Sequence, residues 1–154
     1  MTTTAELAPI SKTVVVAATV ERAFALFTAE MGRWWPLRTH SVGEASSAGV
    51  VMGDRVGADI VETLADGSTT VWGTITDWVP PTLVAFTWHP GQSGAEATRV
   101  EVTFAEQDDG TLVTLVHTGW EARPDAGRVR RSYTSGWDVV LSSLAASSVP
   151  AAEA

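Results

Sequence analysis

The segment at residues 72–88, WGTITDWVPPTLVAFTW, constrains the fold more than any other part of the chain. It predicts two β-strands joined at Pro80-Pro81, because apolar and β-branched residues flank a dipeptide that ends a strand. Three of the seven tryptophans lie along this predicted hairpin. An indole is so large that the direction in which each one points decides whether a small domain has a filled core or a lined cavity.

The composition predicts one folded domain. The chain has 154 residues, of which 45% are hydrophobic and 18% charged, a balance that supports a real core. Residues 1–9 and 147–154 are small and polar, so we expect flexible tails around a single domain at residues 10–146. The chain has no cysteine, which excludes disulfides, thiolate nucleophiles and cysteine-based metal sites.

The charge of the chain argues against anionic partners. A net charge of −8 repels nucleic acid and anionic membrane surfaces. Four arginines near the start of the last predicted helix favour a solvated face over an anion site: Arg123, Arg128, Arg130 and Arg131. The apolar run at residues 14–18 is too short to span a bilayer, and no secretory signal precedes it. We therefore expect a cytoplasmic protein with no nucleic-acid partner and no membrane insertion.

Periodicity and turn signals predict a strand, two helices, six strands and one long helix, in that order. Thr19 is placed to cap the first helix, and Pro36 to end the second. The strands are predicted at residues 10–16, 50–52, 56–64, 70–79, 82–88, 99–106 and 112–118, and the long helix at 128–146. The apolar stripe of that helix comprises Val129, Tyr133, Trp137, Val140, Leu141 and Leu144. This order predicts an α+β fold with the helix across one face of an antiparallel sheet.

Residues matched across the predicted turns assign every strand residue to one of two faces. The matched pairs are Glu62–Val71, Ile60–Gly73, Gly73–Trp88, Ile75–Phe86, Phe104–Val113, Val102–Leu115 and Val100–His117. The predicted inner face comprises Ile60, Glu62, Val71, Ile75, Val84, Phe86, Trp88, Val100, Val102, Phe104, Val113, Leu115 and His117. The predicted outer face comprises Trp72, Thr74, Thr76, Trp78, Thr87, Arg99, Glu101, Thr103 and Thr114. Trp88 is thus the one hairpin indole expected to face the helix.

Six motifs carry a resemblance to a known superfamily: VERAFALFT at 20–28, WWPLRTHS at 34–41, the hairpin at 72–88, VEVTF at 100–104, GTLVTLVHTGW at 110–120 and SGWDVVLSSL at 135–144. Over residues 10–146 the chain resembles the START-like (SRPBCC; polyketide cyclase/dehydrase and lipid transport) superfamily, in the branch homologous to activators of heat-shock protein 90 ATPase. The resemblance implies a helix-grip fold, in which a curved antiparallel sheet wraps around the long C-terminal helix. Two short helices then follow the first strand, and a cavity lies between sheet and helix.

The functions that this resemblance implies belong to different classes. The favoured prediction is binding of a small hydrophobic or amphipathic molecule between the inner sheet face and the helix. Its candidate ligand-binding residues are Trp35, Ile60, Ile75, Phe86, Trp88, Val102, His117, Tyr133 and Trp137. One alternative is a heat-shock protein 90-type co-chaperone or stress-response interaction protein. Trp34 and Trp35 either line the mouth of the cavity or cap the core.

Another alternative is a cyclase or dehydratase that uses Glu62 and His117 as acid and base. A structural role is favoured for both: His117 bonded to Tyr133 or to a backbone carbonyl, and Glu62 at a solvated rim. We expect no cofactor, because the sequence has no nucleophile-elbow, phosphate-loop or dinucleotide motif. We also expect no metal, because the three histidines, at positions 40, 89 and 117, lie on separate elements without ligand spacing.

Overall fold

The computed structural model describes residues 8–91, 94–108, 110–123 and 125–148. The predicted tails lie largely outside these ranges, although residues 147 and 148 belong to the last helix. Within the described part of the chain, no helix combines the length and the apolar character needed to cross a membrane.

The described residues form one antiparallel sheet and three α-helices. The strands are β1 Ile10–Val16, β2 Ser47–Met52, β3 Asp59–Leu64, β4 Thr69–Val79, β5 Leu83–Trp88, β6 Thr98–Gln107 and β7 Gly110–Thr118. The helices are α1 Val20–Phe27, α2 Met31–Trp34 and α3 Ala126–Ser148, with 3₁₀ turns at Glu44–Ser46, Gly94–Glu96 and Trp120–Ala122. The strand order is β1-β7-β6-β5-β4-β3-β2. The predicted α+β helix-grip fold and the predicted order of elements are confirmed.

Much of the local sequence reasoning is also confirmed. The Thr19 hydroxyl caps α1 by accepting a hydrogen bond from the backbone N–H of Arg22 at 3.1 Å. Five predicted strand pairs are present: Ile60–Gly73, Ile75–Phe86, Phe104–Val113, Val102–Leu115 and Val100–His117. These pairs place β5, β6 and β7 in the expected register, with their apolar face toward the helices.

The turn between β3 and β4 is one residue longer than the two-residue turn that the predicted pairs Glu62–Val71 and Ile60–Gly73 require. The backbone N–H of Leu64 donates to the carbonyl of Ser68 at 2.8 Å, which closes a loop of three residues. Glu62 therefore pairs with Thr70, not with Val71 as predicted. A shift of one residue moves every following side chain to the other face.

A bulge in β4 compensates for this shift and reorients Trp72. Ile60 pairs with Gly73 and Val61 pairs with Val71, so Trp72 lies between two pairs without a partner on β3. Its side chain turns inward and is 1% exposed. The prediction that Trp72 lies on the outer face is wrong, because a bulge interrupts the two-residue alternation of a strand.

A second register shift, between β4 and β5, reorients Trp78 in the same way. The shift follows Ile75 and places Trp78 opposite Val84, whose side chain is fully buried. The ring of Trp78 packs edge-on against Phe24 of α1, with the two centroids 5.1 Å apart. The prediction for Trp78 is therefore wrong too, and all three hairpin indoles point toward the interior.

Gly73 allows β4 and β5 to approach each other closely. A Cβ at this position would lie 1.7 Å from the carbonyl oxygen of Thr87, so the backbone of β5 occupies the space beside Gly73. We expect Gly73→Ala to destabilise the fold by about 2 kcal/mol, because the two strands would have to separate. Gly49→Ala, where no atom lies within 4 Å, is the matched control and should be nearly neutral. Urea unfolding measures both, and equal stabilities would contradict this account of Gly73.

Candidate functional site

Indole rings fill the space between the sheet and α3. Trp35, Trp72, Trp88 and Trp137 form a continuous aromatic cluster. The ring centroids are 5.1 Å apart for Trp35–Trp72, 5.6 Å for Trp72–Trp88 and 5.4 Å for Trp88–Trp137. None of the four side chains is more than 6% exposed. The middle of the fold is therefore packed with side chains rather than hollow.

A cleft of about 400 Å³ opens beside this aromatic cluster. Its walls are Trp35, Trp88, Tyr133, Trp137 and Val140. The loop at residues 39–43, the rim loop, contributes its first four residues to the edge, and Pro90, Gly91, Ser132 and Gly136 complete it.

Four of the nine predicted ligand-binding residues thus come together here: Trp35, Trp88, Tyr133 and Trp137. The other five are buried in the core and do not line the cleft: Ile60, Ile75, Phe86, Val102 and His117.

Every indole N–H in the cleft wall already has an acceptor within the protein. Trp35 Nε1 donates to the carbonyl of His40 at 2.7 Å, and Trp88 Nε1 donates to the hydroxyl of Tyr133 at 3.0 Å. Trp137 Nε1 donates to His117 Nδ1 at 3.0 Å. The three indoles therefore offer ring surface, and no free N–H donor, to a molecule in the cleft.

His117 is held as a neutral imidazole. An indole nitrogen can only donate, so Nδ1 of His117 is the acceptor for Trp137 and the ring proton lies on Nε2. Nε2 then donates to Thr98 Oγ1 at 2.6 Å, and the Thr98 hydroxyl donates to the carbonyl of Trp88 at 3.2 Å. Burial, with a smaller contribution from the nearby Arg123 charge, lowers the pKa of His117 from 6.5 to about 3.

The predicted partner of His117 is wrong. Tyr133 packs edge-on against the imidazole, with centroids 5.0 Å apart, while Thr98 and Trp137 make the hydrogen bonds. Both ring nitrogens are engaged in the core, so His117 has no lone pair available to the cleft.

Glu62 is fully buried, so its predicted place at a solvated rim is also wrong. Its Oε1 accepts from the backbone N–H of Val42 and from Trp72 Nε1, each at 2.9 Å. Its Oε2 accepts from the backbone N–H of Gly43 at 3.0 Å. The carboxylate thus ties the rim loop to the sheet.

The donors around Glu62 keep it ionised. Burial raises the pKa of this carboxyl, but the nearby Ser47 hydroxyl and the hydrogen bonds from the Gly43 N–H, the Trp72 indole and the Val42 N–H lower it by more, so the net pKa falls below its ordinary value of 4.5. No hydrogen bond joins Glu62 to His117 among the described residues, and neither of them lines the cleft.

The remaining candidate groups have their own partners. No group of three or more His, Cys, Asp or Glu side chains that could hold a metal ion occurs among the residues described. Arg123 and Arg128 both bond to Asp125, and Arg130 donates to the carbonyl of Pro9 at 3.1 Å. Arg123 is only 7% exposed, which departs from the predicted solvated face.

Sequence reasoning missed the rim of the cleft. Thr39, His40 and Ser41 lie in a loop without periodicity, and Gly136 interrupts the apolar stripe of α3. One signal was present: the motif WWPLRTHS joins two indoles to a polar tail across Pro36, a composition that suits the edge of an aromatic site.

Comparison with known proteins identifies relatives of this architecture. The family model described as activator of Hsp90 ATPase homolog 1-like protein matches residues 17–147. Similar solved structures include an anthrahydroquino-γ-pyrone synthase, Txn09, solved as a complex, at 29% identity over 92% of this chain and 97% of that chain, with a TM-score of 0.62. The Aha1 dimer from Colwellia psychrerythraea is 18% identical, covers 90% of this chain and 93% of that chain, and has a TM-score of 0.65. Protein SSP2350 from Staphylococcus saprophyticus is 19% identical over 90% of this chain and 89% of that chain, also with a TM-score of 0.65. A comparison with curated proteins found no match.

Proposed function

The chain belongs to the activator of Hsp90 ATPase homolog 1-like family, and we propose that this member binds a small, flat, mostly apolar molecule in the cleft beside α3. Because proteins of one fold can have many different activities, the proposal is based on the cleft and not on membership of the family. The observation that carries it is a cleft of about 400 Å³ whose indole walls have no free donor and whose rim is polar. Apolar walls with a few polar groups are the usual composition of a small-molecule site.

The rim of the cleft is held in place before any molecule binds. Glu62 fixes Val42 and Gly43, and Trp35 Nε1 fixes the carbonyl of His40. A preformed site loses little conformational entropy on binding, which favours affinity. The 29% identical synthase, whose structure is that of a complex, supports a binding role for this architecture.

The alternatives from the sequence have less support. The name of the family favours a co-chaperone, and that role stays a prediction. A cyclase or dehydratase that relies on Glu62 and His117 is disfavoured by geometry, because both groups are committed to hydrogen bonds in the core. The hydrogen bonds of Glu62 position the rim loop, and the hydrogen bond between His117 and Trp137 positions α3.

A larger side chain at Gly136 should close the cleft without harm to the fold. The atoms nearest to a Cβ at this position are His40 Cδ2 at 3.8 Å and His40 Nε2 at 4.0 Å, so the Cβ makes ordinary van der Waals contacts and no clash. Replacement of a helical glycine by leucine also favours the helix by about 1 kcal/mol. We expect Gly136→Leu to weaken binding of the three-ring hydrocarbon fluorene at least ~10-fold, as measured by tryptophan quenching and calorimetry.

The matched control is Ser135→Leu, which adds the same side chain at an exposed position one residue away on α3. It should bind fluorene as the wild type does. Equal affinity in Gly136→Leu, or failure of the wild type to bind both fluorene and its ring-substituted analogues, would remove the proposed function.

A further inference from the structure

Tyr133 offers a hydrogen-bond donor to the cleft. Its hydroxyl oxygen accepts the indole N–H of Trp88, and no acceptor for its own hydrogen occurs among the residues described. A tyrosine hydroxyl carries one donor in addition to its acceptor sites. Burial raises the pKa of Tyr133 against smaller lowering effects of Trp88 and Arg123, so the proton is retained at neutral pH.

His40 offers an acceptor at the same cleft. Its Nδ1 lies 2.6 Å from Thr39 Oγ1, which in turn lies 3.5 Å from the carbonyl of Pro36. With the ring proton on Nδ1, where it donates to Thr39 Oγ1, His40 presents the lone pair of Nε2. Nε2 has no partner in the described part of the chain, and His40 lines the cleft beside Gly136.

The other polar groups of the rim are less suited to hold a ligand. The Ser41 hydroxyl donates to the carbonyl of Leu37 at 2.5 Å and accepts from the backbone N–H of Glu44 at 2.8 Å. Thr39 is engaged with His40, and Ser132 is exposed to solvent. The Tyr133 donor and the His40 acceptor thus lie beside three indole rings whose N–H groups already have acceptors within the protein.

We propose that the ligand is a planar ring system that carries both a carbonyl and a free hydroxyl group. The Tyr133 hydroxyl donates to the carbonyl oxygen, the ligand hydroxyl donates to His40 Nε2, and the rings lie against Trp35, Trp88 and Trp137. This inference rests on the proposed function, since it concerns the same cleft. A plain hydrocarbon would leave a desolvated donor and a desolvated acceptor unpaired, which is how such sites discriminate between analogues.

Four probes that share one ring skeleton separate the two contacts: fluorene, 9-fluorenone, 2-hydroxyfluorene and 2-hydroxy-9-fluorenone. Calorimetry with the full chain should show that each polar group tightens binding about 10-fold over fluorene. Tyr133→Phe should remove the advantage of the carbonyl and keep that of the hydroxyl. His40→Leu should do the reverse, and His40→Gln, which keeps an acceptor, should restore part of the advantage of the hydroxyl.

Two measurements keep the test decisive where a variant folds poorly. Tyr133→Phe leaves the Trp88 N–H without an acceptor, so the affinity of each variant for fluorene serves as the measure of an intact cleft. In the wild type, 2-methoxy-9-fluorenone removes the hydroxyl donor without mutation and should bind about as 9-fluorenone does. Equal affinity of the wild type for all four probes would overturn this inference and leave the binding function in place. Failure of every probe to bind would overturn both.

Discussion

The free energy of unfolding is expected to fall by about 2 kcal/mol when the pH is lowered from 6.5 to about 4.5, because His117 cannot take up a proton in the folded state. The folded pKa of about 3 lies below the ordinary value of 6.5. Between these two values the unfolded chain binds more protons than the folded chain, so stability decreases as the pH falls. Urea unfolding followed by tryptophan fluorescence at a series of pH values measures this slope.

His117→Gln isolates the contribution of the imidazole. A glutamine amide can accept from Trp137 and donate to Thr98, and it does not titrate. The stability of this variant should be nearly independent of pH in that window. An unchanged slope in His117→Gln would show that another group causes the acid sensitivity. Nitrogen-15 NMR should find the imidazole proton of His117 on Nε2.

Glu62→Gln is expected to lower the free energy of unfolding at neutral pH by about 3 kcal/mol. The carboxylate accepts three hydrogen bonds, from Trp72 and from two backbone N–H groups of the rim loop. The amide has one oxygen only, so its NH₂ group must face at least one of these donors. The variant therefore loses the charge and leaves a buried N–H unsatisfied.

Glu106→Gln, which changes an exposed carboxylate on β6, should alter stability by less than ~0.5 kcal/mol and is the matched control. The folded pKa of Glu62 is below its ordinary value of 4.5, so its contribution is present above that value and is lost as the pH falls further. The difference between wild type and Glu62→Gln should thus begin to shrink only as the pH falls below about 4.5. A constant difference down to low pH would contradict this role of the carboxylate.

The architecture follows from the sequence because strands and turns leave local signals. Alternation on β6 and β7 and the apolar stripe of α3 predict which residues meet. The orientation of Trp72 and Trp78 does not follow, since each depends on a register shift that arises from pairing with another strand. Assigning faces by strict alternation of residues along a strand cannot reveal such a shift. Ile60–Gly73 is predicted correctly because the longer β3–β4 turn and the bulge compensate for each other, and Ile75–Phe86 lies on the far side of the second shift from its turn.

The residues of the candidate site can be predicted from the sequence where they lie on regular helices or strands. The helical spacing of apolar residues predicts Tyr133 and Trp137, and the pairing of residues across predicted strands predicts Trp88. His40 does not emerge, because the rim loop is irregular and its position depends on a carboxylate distant in sequence. The role of Glu62 is equally hidden, since two of its three donors are backbone groups that any residue at positions 42 and 43 would supply except proline.

The hydrogen bonds that pass through His117 have a direction. They run from Trp137, which can only donate, through the imidazole and the Thr98 hydroxyl to a carbonyl of Trp88, which can only accept. Apolar packing alone tolerates a helix that slips along its sheet, because one aliphatic surface substitutes for another. A slip that brought Leu141 in front of His117 would leave an acceptor without a donor. The chain of bonds therefore specifies one alignment of α3 and rejects its neighbours, so the walls of the cleft keep fixed positions.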